Sequence, residues 1–107
     1  MSVPSIPAAD VPDSAVLLDV RENDEWAAGH APGARHIPMS QLVERIAELP
    51  GDDPLYVVCK VGGRSARVVQ YLAGQGYPAV NVDGGMQHWA ALGRPVVVDG
   101  DGTPEIL

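Results

Sequence analysis

The stretch LYVVCKVGGRSARVVQYL, residues 55–72, changes character twice. LYVV is a continuous apolar run and reads as a strand buried on both faces. Cys59 closes it, and Gly62 and Gly63 break the pattern. From Ser65 to Gly76 the spacing becomes helical, with Val68, Val69 and Leu72 on one face and glycines at the end. Strand, glycine loop and helix in that order make an α/β unit, and in such folds ligands bind beyond the carboxyl ends of the strands. Cys59, the only cysteine, stands at such an end.

The same alternation continues on both sides. AVLLDV (15–20) is a second buried strand ending near Asp19, so Asp19 and Cys59 are expected on one sheet edge. ENDEWAAGH (22–30) reads as a short helix with Glu22, Asp24 and Glu25 in its first turn. ARHIP (34–38) is a short strand. Ser40 is placed to cap a helix over 41–49, with Leu42, Val43, Ile46 and Leu49 on one face. PGDDP (50–54) is a turn, PAVNVDGG (78–85) a strand and turn, and MQHWAALG (86–93) a last helix. Val3 to Ile6 suits an edge strand, and the segment from Arg94 holds one more short strand before it frays. The fold class expected is α/β, a mainly parallel sheet covered by helices on both faces. One domain fills residues 1–107, with its core over about 3–98 and a flexible tail at 99–107.

Composition narrows the partners. Hydrophobic residues make up 46% of the chain, which excludes a disordered protein, and no apolar run is long enough to span a bilayer. Seven basic residues against fourteen acidic ones give a net charge of −7, which argues against nucleic acid or an anionic membrane as partner. The N-terminal residues lack the basic and apolar regions of a signal peptide, and one cysteine allows no internal disulfide, so the cytoplasm is the expected compartment. Lys60, Arg64 and Arg67 nevertheless gather beside Cys59.

That clustering has a chemical use. A thiol is a good nucleophile only as the thiolate, and an ordinary cysteine is mostly protonated at neutral pH. Gly62 and Gly63 let successive N–H groups turn inward as an anion-binding nest. The helix beginning near Ser65 adds its positive end, and Lys60 and Arg64 add formal charge. A buried, inert cysteine is the alternative reading. The glycines, cations and helix start together favour a nucleophile attacking an anionic substrate. Only KVGG separates Cys59 from Arg64, one residue fewer than cysteine phosphatases use to enclose a phosphoryl group. The shorter loop suits a smaller payload, such as one sulfur atom.

LLDVRENDEWAAGHAPGARHIP (17–38), VVCKVGGRSARVVQYLAGQGY (57–77) and VNVDGGMQHWAALGRPV (80–96), in this order, closely resemble a single-domain rhodanese. The resemblance implies a rhodanese-like three-layer domain around a five-stranded parallel sheet, and a sulfurtransferase. It implies that Cys59 takes sulfur from a donor such as thiosulfate as a persulfide and yields it to cyanide or a thiol. The backbone of Lys60, Val61, Gly62, Gly63, Arg64 and Ser65 would cradle that sulfur, and Lys60 and Arg64 would attract the small anionic donor. Arg64 is equally suited to pairing with Asp19 or Glu22. The alternative function is a rhodanese-like carrier module that delivers sulfur to, or docks on, a protein partner. A phosphatase or arsenate reductase on the same fold is disfavoured by the loop length.

The remaining chemistry-bearing residues read as structural. Asp19 and Arg21 suit an ion pair that supports the edge of the sheet beneath the loop. His30, His36 and His88 do not combine with Cys59 at metal-ligand spacing, and persulfide chemistry needs no general base. No metal or other cofactor is expected. Trp26 and Trp89 are expected to fill the core, DGDGTPE (99–105) lacks the glycine and glutamate positions of a calcium loop, and GQG (74–76) follows a helix where a dinucleotide fingerprint follows a strand.

Overall fold

The computed structural model describes residues 3–50 and 54–107. Five strands form one sheet: β1 (Ser5–Pro7), β2 (Val16–Asp19), β3 (Arg35–His36), β4 (Leu55–Val58) and β5 (Ala79–Asp83). Their order is β1-β5-β4-β2-β3, and every neighbouring pair is parallel. Three α-helices accompany them: α1 (Asn23–Ala28), α2 (Gly63–Gly74) and α3 (Gly85–Ala91). The α/β class, the five parallel strands and the helical cover on both faces agree with the sequence reading.

Strand side chains alternate between two cores, as the two-residue period requires. Leu18, Val20, Leu55, Val57 and Cys59 face α2, where they meet Val68, Val69 and Leu72. Leu17, Val58 and Val82 face the other way, onto Met86 and Trp89 of α3 and onto Ala8 and Val11. Each fully buried aliphatic side chain contributes about 1.5–3 kcal/mol, so these strands cannot slip by one residue without exposing a face.

Register then assembles one sheet edge. Asp19 pairs with Val58, and the Val20 N–H donates to the Val58 carbonyl at 3.0 Å. Asn81 lies opposite Val57, so its side chain also points to the α2 face. The expected juxtaposition of Asp19 with the cysteine end of β4 is present.

Four local expectations change. The helix anticipated over 41–49 is two 3₁₀ turns, Met39–Gln41 and Ile46–Glu48, closed by i→i+3 bonds from Leu42 to Met39 and from Leu49 to Ile46. The tighter winding keeps Leu42 and Leu49 buried but turns Val43 out, 66% exposed. Ser40 caps nothing: it lies within the first turn, whose N-cap is Pro38. Trp26 leaves the core and stacks in parallel on His30 and His36, with ring centroids 3.6 and 4.7 Å away. Finally, the C-terminal segment is held against the domain. Val97 exchanges backbone hydrogen bonds with His30, the Glu105 N–H donates to the Ala28 carbonyl at 2.9 Å, and Ile106 packs on the α3-side core. The turn expected at 50–54 includes residues 51–53, outside the described residues.

Candidate active site

Cys59 leaves the end of β4 pointing into the α2 face and is 1% exposed. The chain must then reverse in three residues to start α2, and Gly62 makes this possible by adopting φ 111°, a left-handed value. The reversal aims backbone donors at the sulfur. The Gly62 N–H lies 3.1 Å and the Ser65 N–H 3.4 Å from Cys59 Sγ, and Ser65 Oγ is 3.3 Å away.

The neighbouring helix fixes the orientation of the loop peptides. The first turn of α3 donates the Met86 N–H to the Cys59 carbonyl at 2.8 Å and the Gln87 N–H to the Lys60 carbonyl at 3.0 Å. The Lys60 carbonyl shares its peptide plane with the Val61 N–H, so holding that carbonyl outward turns the Val61 N–H toward the sulfur. Gly85, at φ 56°, allows this approach, since a Cβ there would collide with both carbonyls.

Burial pushes the Cys59 thiol up, whereas hydrogen bonds from the Ser65 hydroxyl and from the backbone of Ser65, Gly62 and Val61 pull it down. The donors win, and the thiol ionises below its ordinary value. The loop is therefore a site at which a sulfur anion is stabilised chiefly by hydrogen bonding.

The charged residues divide. Arg64 turns to α1 and forms a two-pronged bridge with Glu25, Nη1 to Oε1 at 2.7 Å and Nη2 to Oε2 at 2.9 Å. Its carboxylate partner is thus neither Asp19 nor Glu22. The guanidinium holds the Glu25 carboxyl down to about 2, and Glu25 in turn raises Arg64. Arg64 also feels the charge of Cys59, so its field still reaches the sulfur. Lys60 is half-buried, and Val61 stands out at the loop tip, 59% exposed.

Asp19 and Arg21, both fully buried, form an ion pair at the end of β2. Arg21 Nη2 lies 2.6 Å from Asp19 Oδ2 and donates to the Gly29 carbonyl at 2.7 Å, and Arg21 Nε reaches Asp19 Oδ1 at 2.9 Å. The pair ties the end of β2 to the far end of α1, and α1 carries Glu25. His30 and His36 bond the Trp26 and Arg21 carbonyls, away from the sulfur.

Two residues of the site are absent from the sequence reading. In the sequence Glu25 is only a first-turn acid of α1, and nothing local marks it as the partner of a residue 39 positions away. Asn81 is buried in β5 and accepts the Ser65 hydroxyl proton at 2.5 Å. Its signal was a polar residue interrupting the apolar strand AVNV.

A buried thiol at the end of a parallel strand, enclosed by the amides of a six-residue loop and the start of a helix, defines an α/β domain built around a sulfur-anion cradle. The Rhodanese-like domain family model matches residues 8–92, and the chain belongs to that family. It is 42% identical over 79 residues to the putative sulfurtransferase YtwF of Bacillus subtilis, covering 74% of this chain and 77% of YtwF. It is 40% identical over 80 residues to the thiosulfate sulfurtransferase GlpE of Pseudomonas putida, covering 74% and 73% of the two. The crystal structure of a rhodanese-related protein from Thermoplasma volcanium superposes with a TM-score of 0.85 at 38% identity, covering 90% of this chain and 99% of that one.

Proposed function

We propose that this protein is a sulfurtransferase that carries sulfane sulfur as a persulfide on Cys59. The observation that carries the reading is the convergence of the Gly62 and Ser65 N–H groups on the sulfur of the only cysteine. In the first step the Cys59 thiolate attacks the outer sulfur of a donor such as thiosulfate. A sulfur–sulfur bond forms, the donor's own sulfur–sulfur bond breaks, and sulfite leaves with the bonding pair. The new terminal sulfur is an anion, and the loop amides from Lys60 to Ser65 hold it without any proton transfer. In the second step cyanide or a thiolate attacks that terminal sulfur and the Cys59 thiolate departs. One difficult transfer becomes two easier displacements.

Lys60 is the stronger attractor of the donor anion, because Arg64 shares its charge with Glu25. With no second cysteine in the chain, sulfur leaves to an outside acceptor, either a small thiol or a protein thiol. No described helix is long and apolar enough to cross a membrane, and a nucleophilic thiol without a disulfide partner suits the reducing cytoplasm.

Incubation with thiosulfate followed by intact-mass measurement should show the gain of one sulfur atom, and added cyanide should remove it as thiocyanate. Cys59→Ser should abolish both. A wild-type protein that gains no sulfur, or a serine variant that still turns over, sinks the reading. A persulfide that forms but resists cyanide and passes only to a protein thiol would favour the carrier module.

A further inference from the structure

Ser65 has one hydroxyl proton, and two acceptors lie beside it. Asn81 Oδ1 is 2.5 Å from Ser65 Oγ and Cys59 Sγ is 3.3 Å from it. An amide oxygen cannot donate, so the shorter contact requires the Ser65 proton to point at Asn81. The amide is oriented by its other end, where Nδ2 faces Asp83 Oδ1 at 3.5 Å. Reversing it would set its oxygen against that carboxylate. With the proton so committed, Ser65 presents a lone pair to sulfur and serves as acceptor for the neutral S–H. When the thiol ionises that lone pair is repelled, and the proton must swing from Asn81 to Sγ to restore a donor.

We propose that Asn81 is a positioning residue for the sulfur centre: it competes with Cys59 for the Ser65 hydroxyl proton and so makes Ser65 a two-position rotor. The rotor favours the neutral thiol in one position and the sulfur anion in the other. Its placement follows from register, since Asn81 opposite Val57 points to the α2 face directly below the helix start. Burial at 4% exposure keeps water from taking either role. The effect of losing Asn81 is to leave the hydroxyl proton to sulfur alone.

The inference concerns the thiol itself, and only its consequence for turnover rests on the sulfurtransferase reading. The thiolate absorbance of this one-cysteine chain, followed against pH, reports the ionisation directly. The charges around the sulfur are Lys60 in the loop, Arg64 on α2 with Glu25 of α1, Asp83 on β5, and His88 of α3 against Gly84; the Asn81 variants alter only the surroundings of Asp83, which the Ser65→Ala background reports separately. Asn81→Ala should move the midpoint down by about half a unit or more, giving about threefold more thiolate at pH values below it. Asn81→Val, a strand former with no acceptor, should do the same. Ser65→Ala should move the midpoint up, and Asn81→Ala should then add nothing in that background. An unshifted midpoint in either Asn81 variant overturns the proposal. So does a shift that persists without the Ser65 hydroxyl, since Asn81 would then act by some route other than that proton.

Discussion

At Cys59 the competition between burial and hydrogen bonding is decided within a few ångströms. An enclosed thiol resists ionisation, yet three of the donors that oppose this are backbone N–H groups. The flanking cations play a different part. Lys60 has room to meet an incoming anion, whereas Arg64 is held in the Glu25 bridge. Lys60→Ala should therefore raise the KM for thiosulfate several-fold with little change in kcat, and the rise should shrink at high salt. Arg64→Ala should raise KM less and lower the melting temperature more. Steady-state kinetics at two ionic strengths, paired with thermal melts, would separate the two residues. Equal KM changes would mean that Arg64 leaves Glu25 when the donor arrives. The strand end at Cys59 and the turn at Gly62 were legible in the sequence because adjacent residues carry their signal. The choice of partner for Arg64 was not, since Asp19, Glu22 and Glu25 offer the same carboxylate and only the placement of α1 selects among them.

Among the elements, α3 has an unexpected role. From sequence it is a last helix that places Trp89 in the core. In the structure its first turn also grips the Cys59 and Lys60 carbonyls and so sets which way the loop amides point. Gly85→Ala should cost about 2–4 kcal/mol, because the added methyl must displace backbone and occupy a left-handed conformation. It should also slow persulfide formation. Gly63→Ala is the control: its Cβ would meet nothing within 4 Å, and it should leave stability unchanged or raise it. Denaturant midpoints and sulfur uptake measured for both variants test this. A Gly85→Ala protein that loads sulfur at the normal rate would show that α3 does not orient the loop. The 3₁₀ turns after β3 carry a related lesson. The spacing of Leu42, Ile46 and Leu49 fits a helix, but Pro38 leads straight into i→i+3 turns that bury the same leucines with a narrower, more extended winding.

For the molecule as a whole, the Glu25–Arg64 bridge is a long-range fastening, joining α1 to α2 across 39 residues of chain. Its pH dependence has a definite sign. The Glu25 carboxyl ionises at about 2 in the fold against 4.5 ordinarily, so the bridge contributes fully above the ordinary value, and its contribution is lost as pH falls from about 4.5 through about 2. Glu25→Gln should be less stable than the parent at neutral pH, and the difference should narrow as pH falls through that window. Chemical denaturation at several pH values reads this, and a gap that stays constant would assign the bridge no stabilising role. The C-terminal segment fastens the same region from outside, since Glu105 bonds Ala28 and passes so close to Gly29 that a side chain there would strike its backbone. Ile106 packs on the α3-side core, a site that exists only once α3 and the sheet have packed.

By itself the sequence determined the alternation of strands and helices, the cysteine at a strand end, and the four residues that separate it from Arg64. Each of these follows from side-chain period, glycine placement and residue count, which act between near neighbours. Only the tertiary structure decided that Glu25 holds Arg64, that α3 turns the loop peptides, that Asn81 claims the Ser65 proton, and that the C-terminal residues close over α1. In these cases several residues of equal chemistry compete for one partner, and the winner is the one that sheet register and helix packing bring within a hydrogen bond's reach.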